Sequence, residues 1–321
     1  MKPIKFARSL LFAMSLLGPI SAGAQSYPSK PIRWIVTFQA GGTTDIVARI
    51  VGQKLSESLG QPVIIDNRPG ASGMIGTEMG AKAPPDGYTL TFAYNGNMTM
   101  NPNLFKKLPY DTLRDFTGVS MIIRTPMLLV VNPAVPAKSL AEFIALAKAQ
   151  PGKLNLAVGG GVGQLSGELF KSMTRLDLTN VPYKGNAPSL ASVLAGETQA
   201  MFETVSAALP HIRSGKLRVL AVSSAKRSGL LPDVPSIGET VPGYDVNVWM
   251  GVSAPAGTPA EIINKLSGEV ARIVKTQDVQ ERLTAQGLEV VGSTPEQLNA
   301  TIKTELETWA RVVKEANIPV Q

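Results

Sequence analysis

The chain has 321 residues, a formal charge of +7, no cysteine and a single histidine, His211. The absence of cysteine excludes disulfides, thiolate nucleophiles and iron–sulfur clusters, and one histidine cannot form a multi-histidine metal site. A hydrophobic content of 44% and a charged content of 17% are typical of a globular chain, whose length suits two domains of roughly 100–200 residues. Composition therefore favours binding over catalysis, and we expect neither a metal nor a cofactor.

The first 24 residues have the pattern of a cleavable signal peptide. Lys2, Lys5 and Arg8 precede an apolar segment at Leu10–Ile20, and Ala22-Gly23-Ala24 supplies the small residues of a cleavage site. The apolar segment is shorter than the ~20 residues of a membrane-spanning helix. We therefore predict cleavage after Ala24 and export to a bacterial periplasm, with a mature chain that does not span the membrane.

The charge of the mature chain fits a small anionic ligand. Cleavage removes three positive charges and no negative ones, which lowers the formal charge from +7 to +4. Nucleic-acid binding requires clustered Lys and Arg, whereas the remaining basic residues are scattered along the chain. We therefore expect no nucleic-acid partner.

Short apolar runs alternate with segments of helical periodicity, which predicts an α/β fold. The predicted strands are Ile32–Phe38, Val63–Asp66, Tyr88–Tyr94, Met127–Val131, Leu154–Val158, Leu178–Val181, Gln199–Glu203 and Arg218–Ser223. Ser139 and Glu142 predict a capping box for the helix that follows them. Two C-terminal helices are predicted at Thr258-Pro259-x-Glu261 and Thr294-Pro295-x-Gln297, where a cap residue precedes a proline in the first helical position.

The elements divide into two similar α/β halves, of which the first is completed by the C-terminal helices. We place the crossings between the halves near Arg124–Pro126 and near Val248–Met250. The prediction is a two-domain clamp with two hinge crossings. Residues 25–124 and 250–321 form its domain 1, and residues 125–249 form its domain 2.

Three predicted turns, at residues 39–44, 70–73 and 159–163, are rich in glycine and small polar residues. Such turns expose backbone N–H groups at the positive end of a helix dipole, which suits a carboxylate or phosphate. In open α/β sheets, ligands bind at the carboxyl ends of the strands, where these turns lie. Glycine also serves tight turns without any ligand, but three turns of one type indicate an anion site.

Nucleotide-binding and hydrolase motifs are incomplete or absent. Gly161-Val162-Gly163-Gln164-Leu165-Ser166 lacks the third glycine of a dinucleotide-binding fingerprint, and no acidic residue follows about 20 positions later. Neither a Walker A motif nor a G-x-S-x-G nucleophile elbow occurs. His211 follows Leu209-Pro210 at a predicted helix start, where a surface histidine is a simpler interpretation than a general base.

Asp45, Lys184 and Glu203 each allow a structural and a ligand-binding interpretation. Asp45, in the first turn of a predicted helix, complements the helix dipole or contacts an amine or hydroxyl of a ligand. Lys184 is either a solvated loop residue or a point charge for an acid. Glu203 ends a strand, where an ionised carboxylate repels an acidic ligand unless it is protonated or faces a donor.

Several short segments occur in the same order as in a known family. They are Gly41-Gly42-Thr43-x-Asp45-x-x-Ala48-Arg49, Asp66-Asn67-Arg68-Pro69-Gly70-Ala71-x-Gly73, Pro85-Asp86-Gly87-Tyr88-Thr89-Leu90, Val181-Pro182-Tyr183-Lys184-Gly185, Leu217-Arg218-x-Leu220-Ala221-Val222, Pro232-Asp233-Val234-Pro235-Ser236 and Ala254-Pro255-Ala256-Gly257-Thr258-Pro259. These segments resemble Bug-type solute receptors, the periplasmic substrate-binding proteins of tripartite tricarboxylate transporters. The resemblance spans nearly the whole mature chain.

The resemblance implies a type II, Venus-flytrap periplasmic binding protein whose two domains close over a carboxylate or dicarboxylate. In the family, two loops of the first domain hold one carboxylate, and loops of the second domain contact the rest of the ligand. The implied ligand-binding residues of this chain are Phe38, Gln39, Ala40, Gly41, Gly42, Thr43, Asp45, Gly70, Ala71, Ser72, Gly73, Tyr94, Asn95, Gly160, Gly161, Val162, Gly163, Tyr183, Lys184, Gly185, Asn186, Glu203 and Thr204. The chain differs from the family pattern at Thr37 and Gln39, where proline is common, and at Glu203, where aspartate is common.

We therefore predict a periplasmic receptor, not an enzyme, that captures a small organic anion by hinge closure. The resemblance implies delivery to the permease subunits of a membrane transporter, and we expect a monomer. Two alternatives stay open: a receptor for a membrane signalling partner, and an exported hydrolase that uses Ser72 or Asp45 with His211.

Overall fold

The computed structural model describes residues 27–159, 161–183 and 185–320, so the predicted signal peptide lies outside the described residues. The strands are β1 (Ile32–Val36), β2 (Val63–Asn67), β3 (Thr89–Tyr94), β4 (Phe116–Val131), β5 (Asn155–Val158), β6 (Thr179–Pro182), β7 (Ala200–Thr204), β8 (Arg218–Val222) and β9 (Asn247–Pro255). The helices are α1 (Thr43–Leu59), α2 (Met74–Ala81), α3 (Asn101–Leu104), α4 (Thr112–Asp115), α5 (Leu140–Ala149), α6 (Gly161–Thr174), α7 (Asn186–Ala195), α8 (Val205–Arg213), α9 (Ile237–Thr240), α10 (Ala260–Ile273), α11 (Gln277–Thr284) and α12 (Pro295–Glu315). In addition, Ala71–Gly73 forms a 3₁₀ turn and Gly96–Met100 a π-helical turn.

The strands form a mixed sheet in the order β2-β1-β3-β9-β4-β7-β5-β6, with β8 also paired to β4. In the first half, β1 pairs in parallel with both β2 and β3, and in the second half β5 pairs in parallel with both β6 and β7. The predicted α/β class is confirmed. In folds of this class, ligands bind at the carboxyl ends of the parallel strands. Each half-sheet therefore has an edge that is suited to a ligand.

Strand β4 joins the two halves of the sheet. Its residues Phe116–Pro126 pair antiparallel with β9, and from Met127 onwards it pairs antiparallel with β7. The change of partner falls directly after the segment 124–126, near which the sequence predicts a crossing. The hinge itself stays a prediction.

Each half of the sheet has its own apolar core. In the first half, Trp34 and Phe92 stack with their ring centroids 5.9 Å apart, in a cluster that also contains buried residues of α1 and α10. In the second half, the rings of Phe170, Phe202 and Tyr244 contact one another with centroids 6.0–6.5 Å apart. Two cores are expected for a described chain of this length.

The last helix, α12, packs on both halves. Leu298 and Ile302, near its start, belong to a cluster with Trp249 and other residues of the first half. Trp309 and Val312, near its end, belong to the core cluster of the second half. The C-terminal part of α12 therefore lies against the half of the molecule that is predicted to be domain 2.

The sequence interpretation missed the first part of β4 and the whole of β9. The predicted strand Met127–Val131 is the end of a strand of 16 residues. Glycine and proline within these segments, such as Gly118 and Pro126, have the sequence signature of loops. In β9, glycine allows the backbones of two paired strands to approach closely. A Cβ on Gly251 would lie 2.4 Å from the carbonyl oxygen of Ser120 on β4.

The helix start predicted at His211 is wrong, because α8 begins at Val205 and holds His211 in its last turn. The predicted cap at Thr294 is confirmed, and it forms a reciprocal capping box with Gln297. The predicted cap at Thr258 is wrong. Its hydroxyl donates to the carbonyl of Pro255 at 2.7 Å, and α10 begins after Pro259.

Within the described parts of the chain, no helix has both the length and the apolar character needed to cross a bilayer.

Candidate ligand-binding site

A cleft of about 750 Å³ opens between the two halves of the molecule. It lies at the carboxyl ends of β1, β3, β5, β6 and β7, and residues of β4 and β9 complete its wall. The described lining residues are Phe38, Gln39, Ala40, Gly42, Thr43, Thr44, Tyr94, Asn95, Met127, Gly159, Gly161, Val162, Gly163, Gly185, Asn186, Thr204, Val248 and Met250.

Helices α1, α6, α7 and α8 all begin at the wall of this cleft. Thr43, Gly161 and Asn186 are the first residues of α1, α6 and α7, and Thr204 immediately precedes α8. Among the described residues, no side chain caps α1, α7 or α8, so their first-turn N–H groups are available to a ligand. Because the N-terminal end of a helix carries partial positive charge, this convergence favours an anion.

Asp45 lies beneath the first loop and not on the cleft wall. Its carboxylate accepts hydrogen bonds from the Gly41 N–H at 2.9 Å, from Arg49 Nε at 2.8 Å and from Asn67 Nδ2 at 3.0 Å. Asn67 Nδ2 also donates to the Phe38 carbonyl at 3.1 Å, so the network holds both ends of the loop. Burial raises the pKa of Asp45, but these hydrogen bonds outweigh burial and keep it below its ordinary value. This geometry fits a structural role for Asp45 at the start of α1 better than a contact with a ligand.

The second predicted loop has a left-handed backbone. Gly70, Ala71, Ser72 and Gly73 have φ values of 126°, 46°, 54° and 85°, a conformation that costs a residue other than glycine roughly 1–3 kcal/mol. Tertiary contacts hold it, since Asn101 Nδ2 donates to the Ser72 carbonyl at 3.0 Å. Ser72 lines a cavity beside the cleft, whereas the other three residues do not line either space.

That neighbouring cavity, named here the side chamber, has a volume of about 550 Å³. It shares the walls Phe38, Tyr94, Gly161 and Val162 with the cleft, and its other described lining residues are Ser72, Gly96, Met100, Asn101, Leu104, Phe105, Gln164, Ile318 and Pro319. Phe38 and Tyr94 meet edge to face with ring centroids 5.0 Å apart. Burial raises the pKa of the Tyr94 hydroxyl, so this group stays protonated. These two neutral rings border both cavities.

Glu203 lies behind the wall, with only 1% of its surface exposed. Its Oε1 accepts hydrogen bonds from the Thr204 N–H at 2.6 Å, from Thr204 Oγ1 at 3.1 Å and from Asn186 Nδ2 at 3.2 Å. Among the described residues, its Oε2 has no hydrogen-bond partner. Burial raises the pKa of Glu203 more than these hydrogen bonds lower it. The carboxyl group thus orients Thr204 and Asn186, which line the cleft.

The structure brings most of the sequence-predicted residues together. Those on the cleft wall are Phe38, Gln39, Ala40, Gly42, Thr43, Tyr94, Asn95, Gly161, Val162, Gly163, Gly185, Asn186 and Thr204. Those not on this wall are Gly41, Asp45, Gly70, Ala71, Ser72, Gly73, Tyr183 and Glu203. Gly160 and Lys184 lie outside the described residues. A ligand-binding role for any of these residues stays a prediction.

The residues of the wall that the sequence interpretation missed are Thr44, Met127, Gly159, Val248 and Met250. Met127, Val248 and Met250 lie on β4 and β9, at or beside the crossings predicted from sequence. A cleft between two domains is bounded by the segments that connect them. The crossings predicted from the sequence therefore already indicated that residues at these positions line the cleft. Gly159 belongs to the predicted 159–163 turn.

No side chain among the described residues of the cleft wall is charged, and the polar ones are Gln39, Thr43, Thr44, Asn95, Asn186 and Thr204. The described part of the chain also has no cluster of three or more acidic or histidine side chains that could hold a metal ion. His211 is not part of this wall. On this wall, neutral donors and helix ends are the groups available to an anion.

Two α/β halves that are joined by β4 and β9 and separated by a cleft define the class of two-lobed solute-binding receptors. The chain belongs to the tripartite tricarboxylate transporter family of receptors (TctC), whose family model matches residues 47–318. The predicted family is thereby confirmed, and it is a family of receptors and not of enzymes.

The chain is similar to BugT of Bordetella pertussis, with 39% identity over 304 residues that cover 94% of this chain and 93% of BugT. It is similar in structure to Rpa4515 of R. palustris, solved with adipate, at 38% identity and a TM-score of 0.75 over 91% of this chain and 99% of that chain. It is also similar to MatC of Rhodopseudomonas palustris, solved with bound malate, at 34% identity and a TM-score of 0.71 over 89% and 100% of the two chains. The similarity therefore extends over both halves of the molecule.

Proposed function

We propose that the protein is a periplasmic receptor that binds a small carboxylate in the cleft and delivers it to the permease subunits of a tripartite tricarboxylate transporter. The observation that carries the proposal is the convergence of α1, α6, α7 and α8 on one wall. Backbone N–H groups at helix N-termini bind carboxylates without a cationic side chain. The adipate in Rpa4515 and the malate in MatC support the same ligand chemistry.

Binding is proposed to close the two halves over the ligand. The loop 39–43 holds one carboxylate, and Asn186 and Thr204 contact the rest of the ligand from the opposite half. The proposed domains are residues 25–124 with 250–321, and residues 125–249. The change of partner of β4 between Pro126 and Met127 supports a hinge at this point, because neighbouring residues there belong to different half-sheets.

The proposal includes export, cleavage after Ala24 and a monomeric mature protein. The basic, apolar and small-residue pattern of residues 1–24 supports cleavage. The full chain should be expressed in a Gram-negative host and recovered from the periplasm. An N-terminus at Gln25 and the mass of a single chain in light scattering are expected, while an uncleaved or dimeric product would contradict this part of the proposal.

Thermal unfolding with a panel of carboxylates tests the proposed function. A ligand that binds only the folded protein stabilises it by RT ln(1 + [L]/Kd), about 2.7 kcal/mol at a hundredfold excess over Kd. We expect at least one carboxylate to raise the melting temperature, while its neutral diamide, the matched control, does not. A rise with neutral or cationic compounds alone would contradict the proposal.

A further inference from the structure

The cleft wall is mainly apolar in the surface that it presents. Apolar side chains come from the first half, from the second half and from the crossing strands, namely Phe38, Tyr94, Met127, Val162, Val248 and Met250. Apolar atoms predominate over polar atoms in the exposed surface of the wall as a whole. A hydrocarbon body placed against them loses contact with water, which is the main favourable contribution to binding in such a pocket.

Polar groups come from both halves of the wall, and several of them stand at helix starts. Thr43 stands at the start of α1, and Asn186 and Thr204 stand at the starts of α7 and α8 in the opposite half. Donors for a carboxylate are therefore present at the helix starts. A hydroxyl or a further carboxylate that is placed against the apolar side chains loses its hydrogen bonds to water, which is unfavourable.

The side chamber extends the same apolar surface. Phe38, Tyr94 and Val162 line both spaces, and beyond them Met100 and Leu104 continue the wall. A ligand longer than a four-carbon acid can therefore bury additional hydrocarbon against these side chains.

The geometry points to a carboxylate with an apolar body, either an aromatic ring or an unbranched chain of about six or more carbons, as the ligand of this receptor. This inference rests on the proposed function and narrows its substrate class. Hydroxylated acids and tricarboxylates with a short backbone are the disfavoured class, because most of the surface that the wall presents is apolar.

Isothermal titration of the mature protein with succinate, adipate, suberate, terephthalate, malate and citrate tests this inference. Affinity is expected to rise from succinate to adipate to suberate by about fourfold for each added methylene group. Terephthalate is expected to bind more tightly than malate or citrate. The heat-capacity change on binding should become more negative along the same series, because it reports the apolar surface buried.

A pair of isosteric substitutions tests whether the apolar wall causes the preference for acids with an apolar body. Val162→Thr places a hydroxyl on the wall shared by the cleft and the side chamber, and is expected to weaken suberate and terephthalate several-fold more than succinate. Val219→Thr on β8 is the control, because Val219 is also half-buried but does not line either cavity. It should leave all affinities unchanged.

The possible results separate this inference from the proposed function. If malate or citrate binds most tightly, or if affinity does not change with chain length, the apolar class is overturned while carboxylate binding stands. If none of the six acids binds and a neutral or cationic compound does, the proposed function fails and this inference fails with it.

Discussion

At the scale of single residues, Asp45 shapes the cleft from behind its wall. We expect Asp45→Asn to loosen the loop 39–43, because the substitution removes the charge that holds Gly41, Arg49 and Asn67 together. Hydrogen bonds to a charged group contribute about 1.5–3 kcal/mol each. The expected results are a loss of stability of about 2 kcal/mol and a roughly tenfold loss of carboxylate affinity, measured by urea unfolding and titration calorimetry.

The control is Asp233→Asn, which changes the same charge at an exposed position. Because hydrogen bonding lowers the pKa of Asp45 in the folded chain, its stabilisation is present above the unfolded pKa of about 3.9 and is lost as the pH falls through the folded value. An Asp45→Asn variant with wild-type affinity and stability at pH 7 would refute this role.

Glu305 is a second buried carboxyl group, and it does not line the cleft. It accepts hydrogen bonds from Trp249 Nε1 and Thr99 Oγ1, both at 2.8 Å. Burial raises its pKa to about 7, so the folded chain retains a proton that the unfolded chain has already lost. The stabilisation is therefore complete below the unfolded pKa of about 4.3 and is lost as the pH rises through 7.

The expected outcome for Glu305→Gln is a flatter dependence of stability on pH. The neutral amide keeps an acceptor for Trp249 and does not ionise. Relative to the variant, the wild-type protein should lose on the order of 2 kcal/mol between pH 5 and pH 8. Urea unfolding at both pH values measures the difference, and identical pH profiles for the two proteins would show that Glu305 does not titrate in this range.

At the scale of elements, the start of α6 requires a residue without a Cβ. A Cβ on Gly163 would lie 2.9 Å from the carbonyl oxygen of Phe202 on β7. Gly163→Ala should push the helix start away from the sheet, with a loss of about 1–3 kcal/mol and weaker ligand binding. Gly268→Ala is the matched control, because that exposed position in α10 has no atom within 4 Å of the added Cβ.

The control substitution should stabilise the protein by about 0.5–1 kcal/mol, since alanine favours a helix interior over glycine. Urea unfolding of the two variants gives both values. Stabilisation by both substitutions would show that α6 does not need the close approach at Gly163.

Elements with local signals could be predicted from the sequence, and elements that depend on distant pairing could not. The capping box at Thr294 and Gln297 is formed by side chains three residues apart, and glycines mark the turns at 39–44 and 159–163 in the sequence. The first part of β4 and all of β9 exist because they pair with each other across more than a hundred positions. Gly118 and Pro126 within β4 have the local signature of a loop.

The same distinction holds for the candidate site. The loop residues of the cleft wall carry glycine-rich patterns that mark them in the sequence. Met127 and Met250 reach the wall only because β4 and β9 join the half-sheets there. Asp45 and Glu203 are close to the site in sequence but lie behind it. From beneath the first loop, Asp45 accepts hydrogen bonds from residues such as Gly41, whereas Glu203 accepts one from Thr204 of the wall.

At the scale of the whole molecule, α12 and the two central strands link the halves between which the ligand is proposed to bind. Because Leu298 packs on one half and Trp309 on the other, closure must preserve or rearrange the packing along α12. The packing of both ends constrains the relative motion of the halves. We predict that ligand binding closes the molecule by a motion of two rigid halves.

Small-angle X-ray scattering of the mature protein measures this closure. The scattering should be measured without ligand and across a titration with the carboxylate that raises the melting temperature most. We predict that the radius of gyration decreases with a midpoint at the Kd from calorimetry, and that the carboxylate is recovered unchanged. A protein that is saturated with the carboxylate but keeps its radius of gyration, or that converts the carboxylate to a product, would contradict capture by closure.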